Sequence, residues 1–113
     1  MNLNLSQFTG TENWYRHPLV RKVLYTDGAK YVADKCEAYW LLDAIASWQL
    51  DPKVKDEPFQ VWKLTTKDST GVLVCEDGNG HEVTRQEISY TDFPLDEITL
   101  WFTDNVILLP SEY

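Results

Sequence analysis

Few of the residues that announce a chemistry are present. The 113 residues include two cysteines, two histidines, one methionine, five glycines and five prolines. Cys36 and Cys75 make neither a C-x-x-C motif nor a disulfide framework. A Cys36–Cys75 bridge is geometrically open, but the start Met1-Asn2-Leu3-Asn4-Leu5-Ser6 lacks the basic and apolar regions of a secretory leader. Both thiols are therefore expected reduced, in a cytoplasmic protein. No apolar run approaches the ~20 residues that span a bilayer, so no membrane partner is expected.

The scarce glycines form no phosphate-cradling G-x-x-x-x-G-K-[ST] and no G-x-G-x-x-G. Gly78-Asn79-Gly80 lies in an acidic loop with no helix after it, the wrong setting for phosphate. H-E-x-x-H and G-x-S-x-G are missing, and Val83 after His81 breaks the H-x-E of zinc deaminases. The loop Glu76–Glu82 offers oxygen ligands but not the spacing or the terminal bidentate Glu of a calcium loop. Turn chemistry accounts for it, and neither metal nor cofactor is expected.

Basic residues are also short: ten against eighteen acids, a net charge of −8. That balance disfavours direct binding to nucleic acid or anionic lipid. The deficit is uneven. Residues 1–50 hold five acids and five bases; residues 51–113 hold thirteen acids and five bases and so carry the whole −8. Such asymmetry marks either a partner-binding surface or a sheet face kept soluble by its charges. The cluster from Arg16 through His17 to Arg21 and Lys22 stands apart and is a candidate anion site.

What is plentiful is apolar and aromatic: 43% hydrophobic residues and 13% aromatic ones. At this length, folding buries roughly two-thirds of the chain's surface, enough for a core without staples. With no repeat, low-complexity tract or Ser/Gly/Pro linker, residues 1–113 are expected to form a single α+β domain.

Residues 5–16 read as a helical turn and loop, which His17-Pro18 ends. Val23-Leu24-Tyr25, Asp27-Gly28 and Tyr31-Val32 read as a short hairpin with its turn. From Asp34 to Gln49 the period becomes 3.6. Ala38, Leu41, Leu42, Ile45 and Trp48 form one apolar stripe, opposite Cys36, Trp40, Asp43 and Ser47. Asp34 and Glu37 suit the first turn of such a helix, and Pro52 follows its end. After a polar connection, strands are expected at 59–65, 72–75, 82–90, 98–102 and 106–109, with a tight turn at Asp104-Asn105. The expected architecture is an N-terminal segment with a short hairpin and one main amphipathic helix packed on an antiparallel meander sheet.

Four stretches carry a resemblance: Phe8-Thr9-Gly10-Thr11, Val23 to Gly28, Ala38 to Ser47, and Val106 to Tyr113. Together they resemble a family of small uncharacterised bacterial proteins, a domain of unknown function. The resemblance covers nearly the whole chain. It implies a bacterial or mobile-element setting and no activity, so it transfers no catalytic residue.

Two functional readings remain. Adjacent aromatics such as Trp14-Tyr15, Tyr39-Trp40 and Trp101-Phe102 must point to different faces, and exposed ones are enriched at interfaces. The first reading is thus a non-enzymatic interaction domain that binds a protein partner, or itself, by aromatic and acidic surface. Acidic mimicry of nucleic acid, as an inhibitor, is one form of it. The second is a small ligand-binding protein or enzyme with a cleft lined by Arg16, His17, Tyr25 and Trp40. There His17, beside positive charges, would serve as a neutral base, with Cys36 and Asp43 as possible companions.

The charge balance makes one outcome measurable. The isolated chain should show no retention on duplex DNA at physiological salt, because it has too few bases to release counterions. Retention that falls with rising salt would overturn that reading.

Overall fold

The structure, a computed structural model, describes residues 3–113; Met1 and Asn2, part of the stretch read for a leader, lie outside it. Its elements begin where turn chemistry permits. At Asp68-Ser69 and Asp104-Asn105 both central residues have positive φ, between 53° and 64°. Two left-handed residues in succession match the twist of flanking strands. They join β3 (Phe59–Lys67) to β4 (Thr70–Asp77) and β6 (Glu97–Thr103) to β7 (Val106–Leu108). With β1 (Trp14–Arg16), β2 (Leu24–Thr26) and β5 (Glu82–Ile88) they make one seven-stranded sheet in the order β1-β2-β7-β6-β3-β4-β5.

The α+β class is as expected, while the simple meander is corrected. Strand β6 returns to pair with β3 rather than β5, so β3 to β6 follow the Greek-key order. Strand β2 runs parallel to β7, the one parallel pair among the described residues. The expected hairpin at Asp27-Gly28 is also corrected. Those residues open helix α1 (Asp27–Lys35), and β2 pairs instead with β1 and β7. Thr26 is the reason: its hydroxyl accepts from the Ala29 N–H and caps the helix. Gly28 is a close-approach glycine rather than a turn glycine. Its N–H donates to Glu112 Oε2 at 3.0 Å, and a Cβ there would lie 2.5 Å from Glu112 Oε1.

The single helix expected over 34–49 is two. Helix α1 ends in a Schellman motif, with Glu37 left-handed (φ 51°) and the Ala38 N–H donating to the Ala33 carbonyl. Glycine usually fills that position; a glutamate there carries no stop signal. Asp34 thus falls in the last turn of α1 and Glu37 in the break, not in a first turn. Helix α2 (Tyr39–Trp48) follows, then the single turn α3 (Pro52–Lys55), with Asp51 as its cap. No helix among the described residues is long and apolar enough to cross a membrane.

Helices cover one face of the sheet. Leu41, Leu42 and Ile45, with Ala29, Val32 and Ala33, are buried in one core with Trp62, Leu64, Leu73, Cys75, Leu100 and Ile107. Each fully buried leucine or isoleucine contributes ~1.5–3 kcal/mol of transfer free energy. Trp48, at the end of the stripe, is only half-buried. The other face is no acidic plate: Lys63 pairs with Glu76 at 3.0 Å and Arg85 with Glu82 at 2.8 Å. Asp68, Asp92, Asp96 and Asp104 lie exposed in the connections between strands instead.

Inside the core sits one polar network. Gln49 follows α2 and Gln60 lies on β3; their amides exchange hydrogen bonds of 2.7 and 2.9 Å. Gln60 Nε2 also donates to the Val54 and Glu57 carbonyls, while its oxygen accepts from the Trp62 indole. Both glutamines are at most 2% exposed. Replacing Gln60 by Leu would leave unpaired the Trp62 N–H, the Gln49 Oε1 and the Gln60-bound side of the Glu57 carbonyl, at ~1–3 kcal/mol each, while the Val54 carbonyl keeps the Glu57 N–H. Gln60→Leu should therefore cost at least ~3 kcal/mol in urea unfolding. A loss below ~1 kcal/mol would show that the network is dispensable.

Candidate functional site

The four residues singled out in the sequence are distributed by strand alternation. Arg16 on β1 lies opposite Leu24, whereas Tyr25 lies opposite Tyr15, so Arg16 and Tyr25 take opposite faces of the sheet. Tyr25 is beside Ile107 on the helix side and stacks on Tyr15, centroids 5.5 Å apart. The Arg16 guanidinium donates to the Arg21 carbonyl and closes the basic loop on itself.

His17 is buried at 2% exposure. Its Nδ1 lies 3.2 Å from the Leu19 N–H and 3.0 Å from the Val20 N–H. Two backbone donors on one ring nitrogen require a lone pair there, which places the proton on Nε2. Nε2–H then donates to Asp43 Oδ1 on α2, 2.7 Å away. No lone pair is left for general-base work. The ring instead ties the 17–23 loop to α2 and fixes the orientation of the half-exposed Asp43 carboxylate.

A second set of polar groups gathers where α1 meets α2. Asp34 accepts from Lys30 at 2.8 Å and from the Tyr39 hydroxyl. The hydrogen bond to Asp34, then burial and the Asp34 charge, push the Tyr39 phenol up to about 12. Lys30, and then Tyr39, hold the Asp34 carboxyl below its ordinary range. At the start of α1, partial burial opposes ionisation of Asp27. Hydrogen bonds from Tyr15, Glu12 and Asn13 outweigh it and keep that carboxyl low as well. These groups satisfy one another.

The thiols are no nearer to chemistry. Cys36 and Cys75 are both buried and free. Burial raises the Cys36 thiol; burial and then Glu57, Glu76 and Asp77 push Cys75 up to about 12. In the 76–82 loop, Asp77 Oδ1 accepts from the Asn79 and His81 N–H groups, so the turn itself uses that oxygen.

Of the four, half-buried Trp40 is the one beside a groove. It lines a groove of about 510 Å³ with Asp43, Ala44, Ser47, Trp48 and Gln86. Trp40, Ala44 and Trp48 recur every four residues along α2, so two tryptophans whose backbone positions are about 12 Å apart along the axis flank a small side chain. Asp43 and Ser47 border the same notch. From the sheet, Gln86 on β5 closes it, its Oε1 accepting from the Trp48 indole at 2.8 Å. That bond uses the oxygen and leaves the amide Nε2 as a donor. The groove therefore presents two indoles, a carboxylate, a hydroxyl and an amide, with no Lys or Arg in its wall. Spacing places Trp40 on the outer face of the helix but Trp48 on the inward stripe, whereas the structure brings both to the groove. Nothing in the sequence pointed to Gln86, 38 residues beyond Trp48.

The chain matches the model of a family of unknown function, DUF6876, over residues 1–113, and it belongs to that family. No curated protein and no solved structure matches it.

The Tyr39–Asp34 bond generates a pH dependence. A phenol raised from an ordinary value of 10 to about 12 contributes stability that is full below pH 10 and lost as the pH rises towards 12. Tyrosine absorbance of the folded protein should show a late ionisation near pH 12 that disappears in Tyr39→Phe, apart from the Tyr15 phenol, which its bond to Asp27 also raises. The same late ionisation in that variant would remove the bond as its cause.

Proposed function

We propose that this member of the family is a single, non-enzymatic interaction domain and that the groove between α2 and β5 is where a basic protein partner docks. The groove carries the reading: two half-buried indoles flank Ala44 beside a carboxylate, with no base within it. Aromatic side chains around a small notch supply apolar area at low entropic cost, the composition of interface centres. A chain with charge −8 draws a basic partner over long range. The buried, free thiols suit a reducing, cytoplasmic setting.

The alternative, a catalytic or ligand-binding cleft bounded by Arg16, His17, Tyr25 and Trp40, has less support. Both His17 ring nitrogens are engaged, and Arg16 and Tyr25 face opposite ways.

The test uses immobilised wild-type protein and Ala44→Lys, which places a cation at the floor of the groove. Ala44 is half-buried on a helix, where the intrinsic helix propensity of lysine is close to that of the best formers. Ser47→Lys, at an exposed position, is the second variant. Proteins of the source organism are passed over each at 0.1 M and 1 M salt, where the Debye length falls from about 10 to 3 Å. A basic protein should be retained by wild type at low salt and lost with either variant. Equal recovery on wild type and variants would overturn the groove as the docking site.

A further inference from the structure

The outer edge of the sheet runs beside the groove, and the two together define the form of the partner. Strand β5 is last in the sheet and pairs with β4 alone. In an antiparallel strand every second residue turns its N–H and C=O away from its neighbour. Among the described residues those outward groups of Glu82–Ile88 have no backbone partner. The opposite edge, β1, is three residues long and offers little to pair with.

Alternation along β5 sorts its side chains. Gln86 lies opposite Leu73, a core residue, and so faces the helices with Thr84 and Ile88. Arg85 and Glu87 lie opposite Val74 and Val72 and face the other way. A strand added at this edge would lie about 4.8 Å beyond β5. Its helix-side residues would pass Gln86 and enter the notch between Trp40 and Trp48. What the notch offers there is the face of an indole and the Asp43 carboxylate, which among the described residues accepts from His17 and has no Lys or Arg beside it.

We propose, resting on the groove reading above, that the occupant is an extended segment of the partner protein. It adds to the outer edge of β5 and places a lysine or arginine side chain between Trp40 and Trp48, against Asp43. Backbone pairing would supply affinity, and the notch would select the side chain, the division of labour usual in strand addition. The cation would gain from both the indole and the carboxylate. The charges on the other side of β5 add selectivity. Exposed Arg85 and Glu87 resist indiscriminate pairing at an edge, and a matched segment meets them with opposite charges.

The probe is the blocked heptapeptide acetyl-TVTRTVT-amide, an alternating strand former with one central cation. It is compared with the same peptide carrying citrulline at the centre, the same peptide N-methylated at alternate residues, and Nα-acetylarginine methylamide. Binding is read by tryptophan fluorescence, and the edge by amide hydrogen exchange. The arginine peptide should bind, with citrulline weakening it by about tenfold or more. N-methylation should abolish binding, and amides within 82–88 should gain protection while those of 14–16 do not. Ala44→Lys, or Ser47→Lys should the first fail to fold, should lose the peptide.

Equal binding of citrulline would overturn the cation. Equal binding of the N-methylated peptide would overturn strand addition. Binding of the acetylarginine amide as tight as the peptide would make this a small organic cation site instead. No binding of the arginine peptide to wild type would overturn the proposal outright, whereas the groove reading falls separately, on the immobilised-protein comparison.

Discussion

A pair of glutamines holds the helical layer in register with the sheet. Gln49 and Gln60 face each other in a region where neither reaches water, so each amide must find its partners within the protein. The Gln60 side chain meets four separate groups: the Gln49 amide, two carbonyls around α3, and the Trp62 indole. Apolar packing alone tolerates small slides of one element over another, because its free energy depends on area rather than direction. Hydrogen bonds inside a low-dielectric core do not. The end of α2, the turn of α3 and the start of β3 are thereby fixed to one another. The groove inherits that alignment, since Trp48 is the last residue of α2 and its indole must meet Gln86 across the gap.

A second tie closes the other side of the molecule. Glu112 accepts from the Thr26 hydroxyl, the Gly28 N–H and the Leu109 N–H, so its carboxylate sits at the positive end of α1. It brings residues more than eighty positions apart into one cap. Because Gly28 has no Cβ, the carboxylate approaches the helix more closely than any other residue would allow. With α1 anchored there and ended by the Schellman turn at Glu37, α2 sets off in a new direction. That change of direction turns Trp40, Ala44 and Trp48 towards β5.

The polar groups that most suggest chemistry in such a chain are consumed by this architecture. His17 spends one nitrogen on two backbone donors and the other on Asp43. Tyr39, Asp34 and Lys30 complete one another, and the thiols are buried. Asp43 is the exception. Buried His17 orients it from behind while much of its side chain faces solvent, at 55% exposure. A carboxylate held in place beside two indoles is the feature on which the proposed docking site rests.

Local order was legible where it depended on neighbours in sequence. The period of 3.6 from Ala38 to Trp48 and the alternation in the strands follow from side-chain direction, which a single element sets by itself. The turn at Asp104-Asn105 follows from residues that tolerate positive φ. Asp27-Gly28 carried the same signal and meant something else. Thr26 and Glu112 made it a capped helix start, and Glu112 lies 84 residues beyond Gly28. The helix break was hidden because a glutamate took the left-handed position, a cost that the surrounding packing offsets. Trp40 and Asp43 could be placed on the outer side of a helix from spacing alone. Only the tertiary structure put Gln86 across from them and His17 behind Asp43. Composition and periodicity therefore determined the class of fold and the inward face of α2. Long-range hydrogen bonds decided the strand order, the division of the helix and the groove, because their partners are chosen by where the chain returns and not by what stands beside them.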